Sequence, residues 1–430
     1  MSDVLGPLVL VVFCLLVSYW EYTRFRTVVT PFGALAWPYT IVVLMINFGG
    51  TYFGFFPVSV ESILFVMICF GFFLVGGYGI TFLLIGRRGD SILFKDVRKE
   101  TKTFLDYYRP LFMVLALVCI VSGLFHFYEL ITEFGWANIG SKDFRDAYGS
   151  GILSHIELLG RSAFIFLFAY YLFYRKKSVL ILLFLIGLTV IIRQVKYHII
   201  VLLLSGIYFS YLHNLLKFNL KKIMIYALGI YVVFNLTYVI GFGAVGVDFA
   251  YSPKVQAFLL NHFFTYLFGG PIGFSEILKN PVYPMYSAEE IFAVPINMIR
   301  FLEGDFNYVN IIIGNWVPVS TIYKYFHSSN VFGIFGMLYA YIGSLATFIY
   351  TLVLGILAYT FMGLASRSRT GIGFQFVYVY VLGFLTISFF GLYFNMLSFV
   401  EVSFYMVIIP SLYILGREIM RFAVLQHKTS

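Results

Sequence analysis

The stretch "SVLILLFLIGLTVIIRQVKYHIIVLLLSGIYFSYL", residues 178–212, decides the fold. Two apolar runs, 178–192 and 198–212, flank the short turn RQVKYH. A span needs roughly 17–25 mainly apolar residues. Both runs fall just short of that length, and the pair reads as two antiparallel membrane segments hinged by a basic turn. Arg193, Lys196 and His198 crowd that turn, together with Gln194 and Tyr197. Basic residues at the end of an apolar segment usually hold it to the cytoplasmic side.

The rest of the chain agrees with a lipid environment. Of 430 residues, 61% are hydrophobic and 11% charged, where a soluble domain keeps about a quarter of its residues charged. The 51 Phe and 34 Tyr suit side chains that meet headgroups. The net charge of +9 points to cytoplasmic anchoring and away from nucleic acid as a partner. Cys14, Cys69 and Cys119 lie in apolar runs, odd in number and widely spaced, and read as core thiols without a disulfide framework or metal site. Val4 to Trp20 lacks a basic flank before it and a small-residue cleavage site after it, so it reads as a retained first span.

Eleven spans are expected, near 4–20, 33–50, 60–86, 110–129, 156–173, 178–192, 198–212, 223–241, 332–361, 372–393 and 400–416. The fold class is thus an all-α polytopic membrane protein, a single domain over 1–430. The run 33–50 is a weak span because it holds Pro38 and ends in Gly49–Gly50. Lys and Arg alternate between the connections, and 20 of the 29 fall on one side. The positive-inside rule makes that side cytoplasmic, with the N-terminus outside and the C-terminus inside. Two long outer segments follow, 129–155 and 242–331. In the second, Ser287 and Glu290 form a capping-box pattern opening a helix through "EEIFAVPINMIRFL". "KVQAFLLNHFFTYLF" is apolar enough to lie on the membrane or dip into it. Pro271, Pro281 and Pro284 break the chain between them. "GGPIGF" (269–274) lacks a phosphate-loop pattern and reads as a tight turn whose glycines admit close backbone approach.

Nine cations remain outside: Lys142, Arg145, Arg161, Arg193, Lys196, Lys254, Lys279, Arg300 and Lys324. Each has a structural reading. Arg161 lies four residues after Glu157 and can form a helical ion pair. Arg193 and Lys196 can snorkel to headgroups. Arg145, beside Asp143 and Asp146, can be a solvated loop charge, and Lys142, Lys254 and Lys279 read as surface charges. The functional reading is a shared anion site, since Arg offers a phosphate a planar fork of donors and Lys a point charge. Arg161, Arg193 and Lys196 stand where a lipid-linked diphosphate would rest, with Arg300 completing the site. "EGD" (303–305) is acidic, but a diphosphate already held by Arg needs no metal. No cofactor is expected.

Four features together resemble the O-antigen polymerase (Wzy-type) family of oligosaccharide repeat-unit polymerases. They are the outer turn "IIRQVKYHIIVLLL", the earlier outer segment with Arg145, the large late outer loop, and "HSSNVFGIFGMLYAYIGSLATFIY" (327–350), where Asn330 leads into a span. Related ligases carry adjacent His and Asn, whereas Ser328 and Ser329 separate His327 from Asn330 here. The family's acid-bearing element in the following helix is only "AYIGS".

The resemblance implies a GT-C-like membrane glycosyltransferase in the bacterial inner membrane. It would join repeat units carried on undecaprenyl diphosphate, with a chain-length regulator and a flippase as the partners the resemblance implies. The growing chain is donor, a sugar hydroxyl on a fresh unit attacks the anomeric carbon, and a single displacement inverts it. Candidate bases are His327, Glu303, Asp305 and His198. Candidate binding residues are Arg145, Arg161, Arg193, Lys196, His198, Arg300 and Asn330. A glycan ligase and a flippase or exporter of lipid-linked oligosaccharide are the alternatives. A transporter would be expected to show an internal repeat, and the sequence has none.

Overall fold

The computed structural model describes the chain except residues 1, 86–97, 194, 218, 220, 222–223, 226–227, 230, 233, 237, 239–252, 281–286, 306, 310–315, 322–326, 368–371 and 430. Gln194, Pro281, Pro284, Lys324 and most of the basic run after the third span lie outside the described residues.

The protein is all-α and polytopic. Seven described helices are long and apolar enough to cross a membrane: Val4–Phe25, Pro31–Phe48, Val60–Leu83, Thr101–Phe134, Gly151–Tyr174, Gly333–Ser366 and Leu397–Phe422. Lys177–Ile192, Lys196–Leu212 and Ile372–Thr386 are apolar but shorter. Ten of the eleven expected spans therefore coincide with apolar helices. In the eleventh, 223–241, about half of the residues lie outside the description, and those that are described are helical.

The chain forms two compact units. One takes Met1–Ile92, Ala250–Gly363 and Leu382–Phe399, and the other Leu93–Phe249, Leu364–Val381 and Val400–Ser430.

The first unit opens with helices α1 (Ser2–Phe25), α2 (Pro31–Phe48) and α3 (Val60–Ile85). Local chemistry sets the ends of α2. The Thr30 side chain accepts from Gly33 N at 3.0 Å, Pro31 supplies a first-turn φ without needing a donor, and Gly49 closes the helix. Pro38 is accommodated inside it. Among buried polar groups, the Glu21 carboxylate accepts from the hydroxyls of Thr30, Tyr78 and Tyr359. A buried carboxylate is tolerated when hydrogen-bonded in this way.

The segment expected to turn at 269–274 instead continues a helix, Pro253–Lys279, with Pro271 inside it. Glycines 269, 270 and 273 are buried; Gly269 faces the Ser329 side chain, and Gly270 and Gly273 face other backbone. A Cβ on Gly270 would lie 2.0 Å from the Phe389 carbonyl oxygen, and one on Gly273 2.6 Å from that of Val331. The close approach expected of these glycines is present, but inside a helix. Ser287 does cap, accepting from Glu289 N at 3.2 Å. It opens a short 3-10 turn, Ala288–Glu290, before helix Ala293–Glu303. Val317–Pro318 pairs antiparallel with Ser328–Ser329. Helix Gly333–Arg367 is interrupted at Gly343, whose φ of 72° and ψ of 179° are non-helical.

The second unit is built from α4 (Arg98–Phe134), α5 (Lys142–Tyr148), α6 (Gly151–Tyr174), α7 (Lys177–Ile192) and α8 (Lys196–Leu212), with the start of Ile372–Thr386 and most of Leu397–Thr429. Helices α4 and α6 pack through Gly160, where an added Cβ would stand 2.1 Å from Cys119 Sγ. That contact fixes which side of α6 faces α4. All three cysteines are free and buried.

Candidate functional site

Arg193, at the end of α7, sits beside the segment that precedes α6. That segment is shorter than expected, because α4 runs on to Phe134 and α6 starts at Gly151. Between them, Ser141 caps α5 by accepting from Phe144 N at 3.1 Å. Phe144 and Tyr148 on α5 are fully buried with Leu130, Ile139 and Ile192. This small apolar cluster holds α5 down on α4 and the end of α7. Phe144→Ala should loosen it, by about 3–5 kcal/mol for a fully buried Phe. Faster proteolysis within 135–150 would report the loss.

With α5 anchored, its polar groups are placed. Tyr148 is within hydrogen-bond reach of the carbonyls of Gly123 (3.4 Å) and Thr189 (3.3 Å), and the His126 ring stacks on it at 5.0 Å. Arg145 donates through Nε to Ser141 O at 3.2 Å and lies within electrostatic reach of Lys196. Arg193, at the end of α7, donates through Nη2 to Gly149 O at 3.2 Å. It thereby ties the turn between α7 and α8 to the segment between α5 and α6.

Behind this tie lies the centre of the cluster. Glu157 and Arg161, both on α6, are each 2% exposed, and His198 on α8 is 3% exposed. Arg161 donates through Nη1 to Tyr380 OH at 3.0 Å. Its Nε and Nη2 are buried with no hydrogen-bond partner among the described residues, as are both Glu157 oxygens, Arg193 Nη1 and His198 Nδ1. The expected Glu157–Arg161 ion pair is not formed within 4.0 Å. Each nevertheless feels the other's charge. Arg193 acts on Glu157, and Arg161 and Arg193 both act on His198. Buried polar groups are ordinarily hydrogen-bonded, so this concentration of open donors and acceptors among the described residues makes the cluster the candidate site.

Lys196 takes a different position from a free phosphate ligand. Its ammonium donates to Tyr238 OH and lies 4.9 Å from the Phe234 ring centre and 4.1 Å from that of Tyr238. Cation–π contact of this kind holds a desolvated ammonium. His198 packs against Tyr197, with ring centres 4.0 Å apart.

The remaining candidates belong to the first unit. Arg300, on Ala293–Glu303, donates to Asn307 O and lies 3.6 Å from Glu289. Asp305 accepts from Asn307 N at 2.9 Å, and Glu303 is exposed. The His327 carbonyl accepts from Val319 N (2.8 Å) and Ser320 N (3.2 Å), and Asn330 follows strand Ser328–Ser329. The structure thus brings Arg145, Arg161, Arg193, Lys196 and His198 into one unit, and places Arg300, Glu303, Asp305, His327 and Asn330 in the other.

Sequence reading gave Glu157 only the role of an ion-pair partner and passed over Tyr148, Tyr238 and Tyr380. A carboxylate at the start of an apolar span, four residues before Arg161, was the available signal for Glu157. Nothing in the chain near Tyr380 pairs it with Arg161, 219 positions away.

By fold and site, this is a polytopic helical membrane protein with a buried Arg–Glu–His cluster at a helix hinge. The chain belongs to the family described as "Family of unknown function (DUF6337)", whose profile matches residues 52–422. No curated protein and no solved structure matches it.

Proposed function

We propose that the protein is a membrane glycosyltransferase that joins oligosaccharide units carried on undecaprenyl diphosphate, at the outer face of the bacterial inner membrane. The supporting observation is the set of buried guanidinium donors on Arg161 and Arg193 that have no hydrogen-bond partner among the described residues. Guanidinium recognises phosphate oxygens with parallel N–H bonds. In a water-poor site such donors stabilise charge developing on a departing diphosphate. A hydroxyl of the incoming unit attacks the anomeric carbon, and a group nearby must take its proton.

Purified protein incubated with lipid-linked repeat units should give a ladder of products. A single transfer to an unrelated acceptor would indicate a ligase. Movement of intact units across vesicles without bond formation would indicate a flippase, and either result would displace the polymerase reading.

Arg193 gives a sharper test. Arg193→Lys keeps the charge and can still reach Gly149 O, but loses the fork. It should slow chain assembly at matched protein levels, and Arg193→Ala should slow it by about 10²–10³-fold, the range for losing one such donor. Full activity in Arg193→Lys would leave Arg193 as a tether only.

The orientation follows from the alternating basic residues. Cysteines placed at Ser252 and Ser91, both outside the described residues, should label from outside and from inside respectively. Reversed labelling would put the cluster on the wrong side for this substrate.

A further inference from the structure

The open atoms of the cluster specify more than an anion. Arg161 Nε and Nη2 and Arg193 Nη1 are donors, whereas Glu157 Oε1 and Oε2 are acceptors, and all five are buried without a partner among the described residues. A plain anion would satisfy the arginines and be repelled by Glu157. A plain alcohol would satisfy Glu157 and leave the arginines open. What satisfies both is an anionic oxygen beside a hydroxyl donor.

Glycosyl transfer presents that pair, with the diphosphate leaving one face of the anomeric carbon as the hydroxyl arrives at the other. Glu157 and Arg161 stand four residues apart on α6, about 6 Å along the helix axis. That separation suits groups serving opposite faces of one sugar carbon. The packing of Gly160 on Cys119 fixes the rotation of α6 and so where both side chains project.

We propose that Glu157 takes the proton of the acceptor hydroxyl while Arg161 and Arg193 hold the departing diphosphate. This assignment rests on the glycosyl-transfer reading above. The hydroxyl oxygen forms the new bond to the anomeric carbon. The bond from that carbon to the diphosphate oxygen breaks, and its electron pair stays on the diphosphate. The hydroxyl proton passes to the Glu157 carboxylate and is later released to water. No oxidant or reductant enters.

The rival role for Glu157 is that of a buried counter-charge that merely keeps Arg161 and Arg193 in place. The two roles predict opposite effects on anion binding. The test uses full-length wild type, Glu157→Gln, Glu157→Asp and His327→Ala in lipid nanodiscs, matched for yield and melting temperature. One readout is binding of undecaprenyl diphosphate, the other ladder formation from lipid-linked units.

Glu157→Gln should lose about 10²–10⁴-fold in turnover, the range for a missing general base. It should bind undecaprenyl diphosphate at least as tightly as wild type, because a neighbouring negative charge is gone. Glu157→Asp should retain part of the activity. Parallel loss of binding and turnover in Glu157→Gln would make Glu157 a counter-charge and overturn the assignment. So would a wild-type ladder unaffected by Glu157→Gln, or one abolished only by His327→Ala. A wild-type protein that forms no ladder would overturn the glycosyl-transfer reading itself, and this assignment with it.

Discussion

Arg161→Met should abolish chain assembly and also destabilise the protein, and the two losses should separate on a second substitution. Arg161 is 2% exposed, and Tyr380 OH is its hydrogen-bond partner among the described residues. Met keeps the length of the side chain and removes the charge. Glu157, 2% exposed and without a hydrogen bond to either oxygen, then loses one of the two guanidinium charges that act on it. Removing one partner from a set of buried charges typically costs about 3–5 kcal/mol, because the other charge stays behind. Thermal unfolding in detergent should show the drop. Adding Glu157→Gln to Arg161→Met removes the stranded charge and should recover much of the stability. It should not recover assembly, since neither the guanidinium nor the carboxylate is then present. If Arg161→Met melts like wild type, the charges in this cluster are not coupled as the structure places them. If the double variant regains assembly, the cluster is not the reaction centre.

What the sequence disclosed about this cluster, and what it hid, follows from how far apart the partners lie. Arg193, Lys196 and His198 stand out because they interrupt apolar runs, and an interruption is a local feature. The ends of α2 are equally local: Thr30, Pro31 and Gly49 carry their own capping chemistry, and they outweigh Pro38 inside the helix. Glu157 and Arg161 were visible as a spaced pair, but spacing says only that two side chains can meet. Here Arg161 turns to Tyr380 on a helix much later in the chain, and the ion pair is not made. Lys196 is similar: its surroundings are set by Phe234 and Tyr238, which no local pattern links to the turn. The "GGPIGF" stretch misled for the opposite reason. Gly-Gly-Pro is a strong turn signal where the chain is free to bend, but in a packed helix the same glycines remove side chains from a crowded face.

Those glycines carry the second large effect. Gly270→Ala should sharply lower the yield and melting temperature of folded protein, although alanine is the better helix former by about 1 kcal/mol. The new methyl would stand 2.0 Å from Phe389 O, 3.0 Å from Phe389 C and 3.1 Å from Gly333 N. All three neighbours are backbone. They are also held, for Gly333 N donates to Phe390 O at 3.2 Å and Ile334 N donates to Ser388 O at 2.8 Å. A flexible side chain could swing aside, whereas this strap would have to break its hydrogen bonds or push the helix away. Overpacking typically costs about 1–3 kcal/mol and more where neighbours cannot move, so crowding should outweigh propensity. Gly71→Ala is the control, since Gly71 is inside α3 with nothing within 4 Å of the added carbon. It should be neutral or slightly stabilising. Gly343→Ala tests a different mechanism: it has equal room, but a φ of +72° that L side chains adopt at about 1–3 kcal/mol of strain. The expected order of melting temperatures is Gly71→Ala highest, Gly343→Ala lower and Gly270→Ala lowest. Equal stability of Gly270→Ala and Gly71→Ala would mean that helix Pro253–Lys279 does not press against the 388–390 strap.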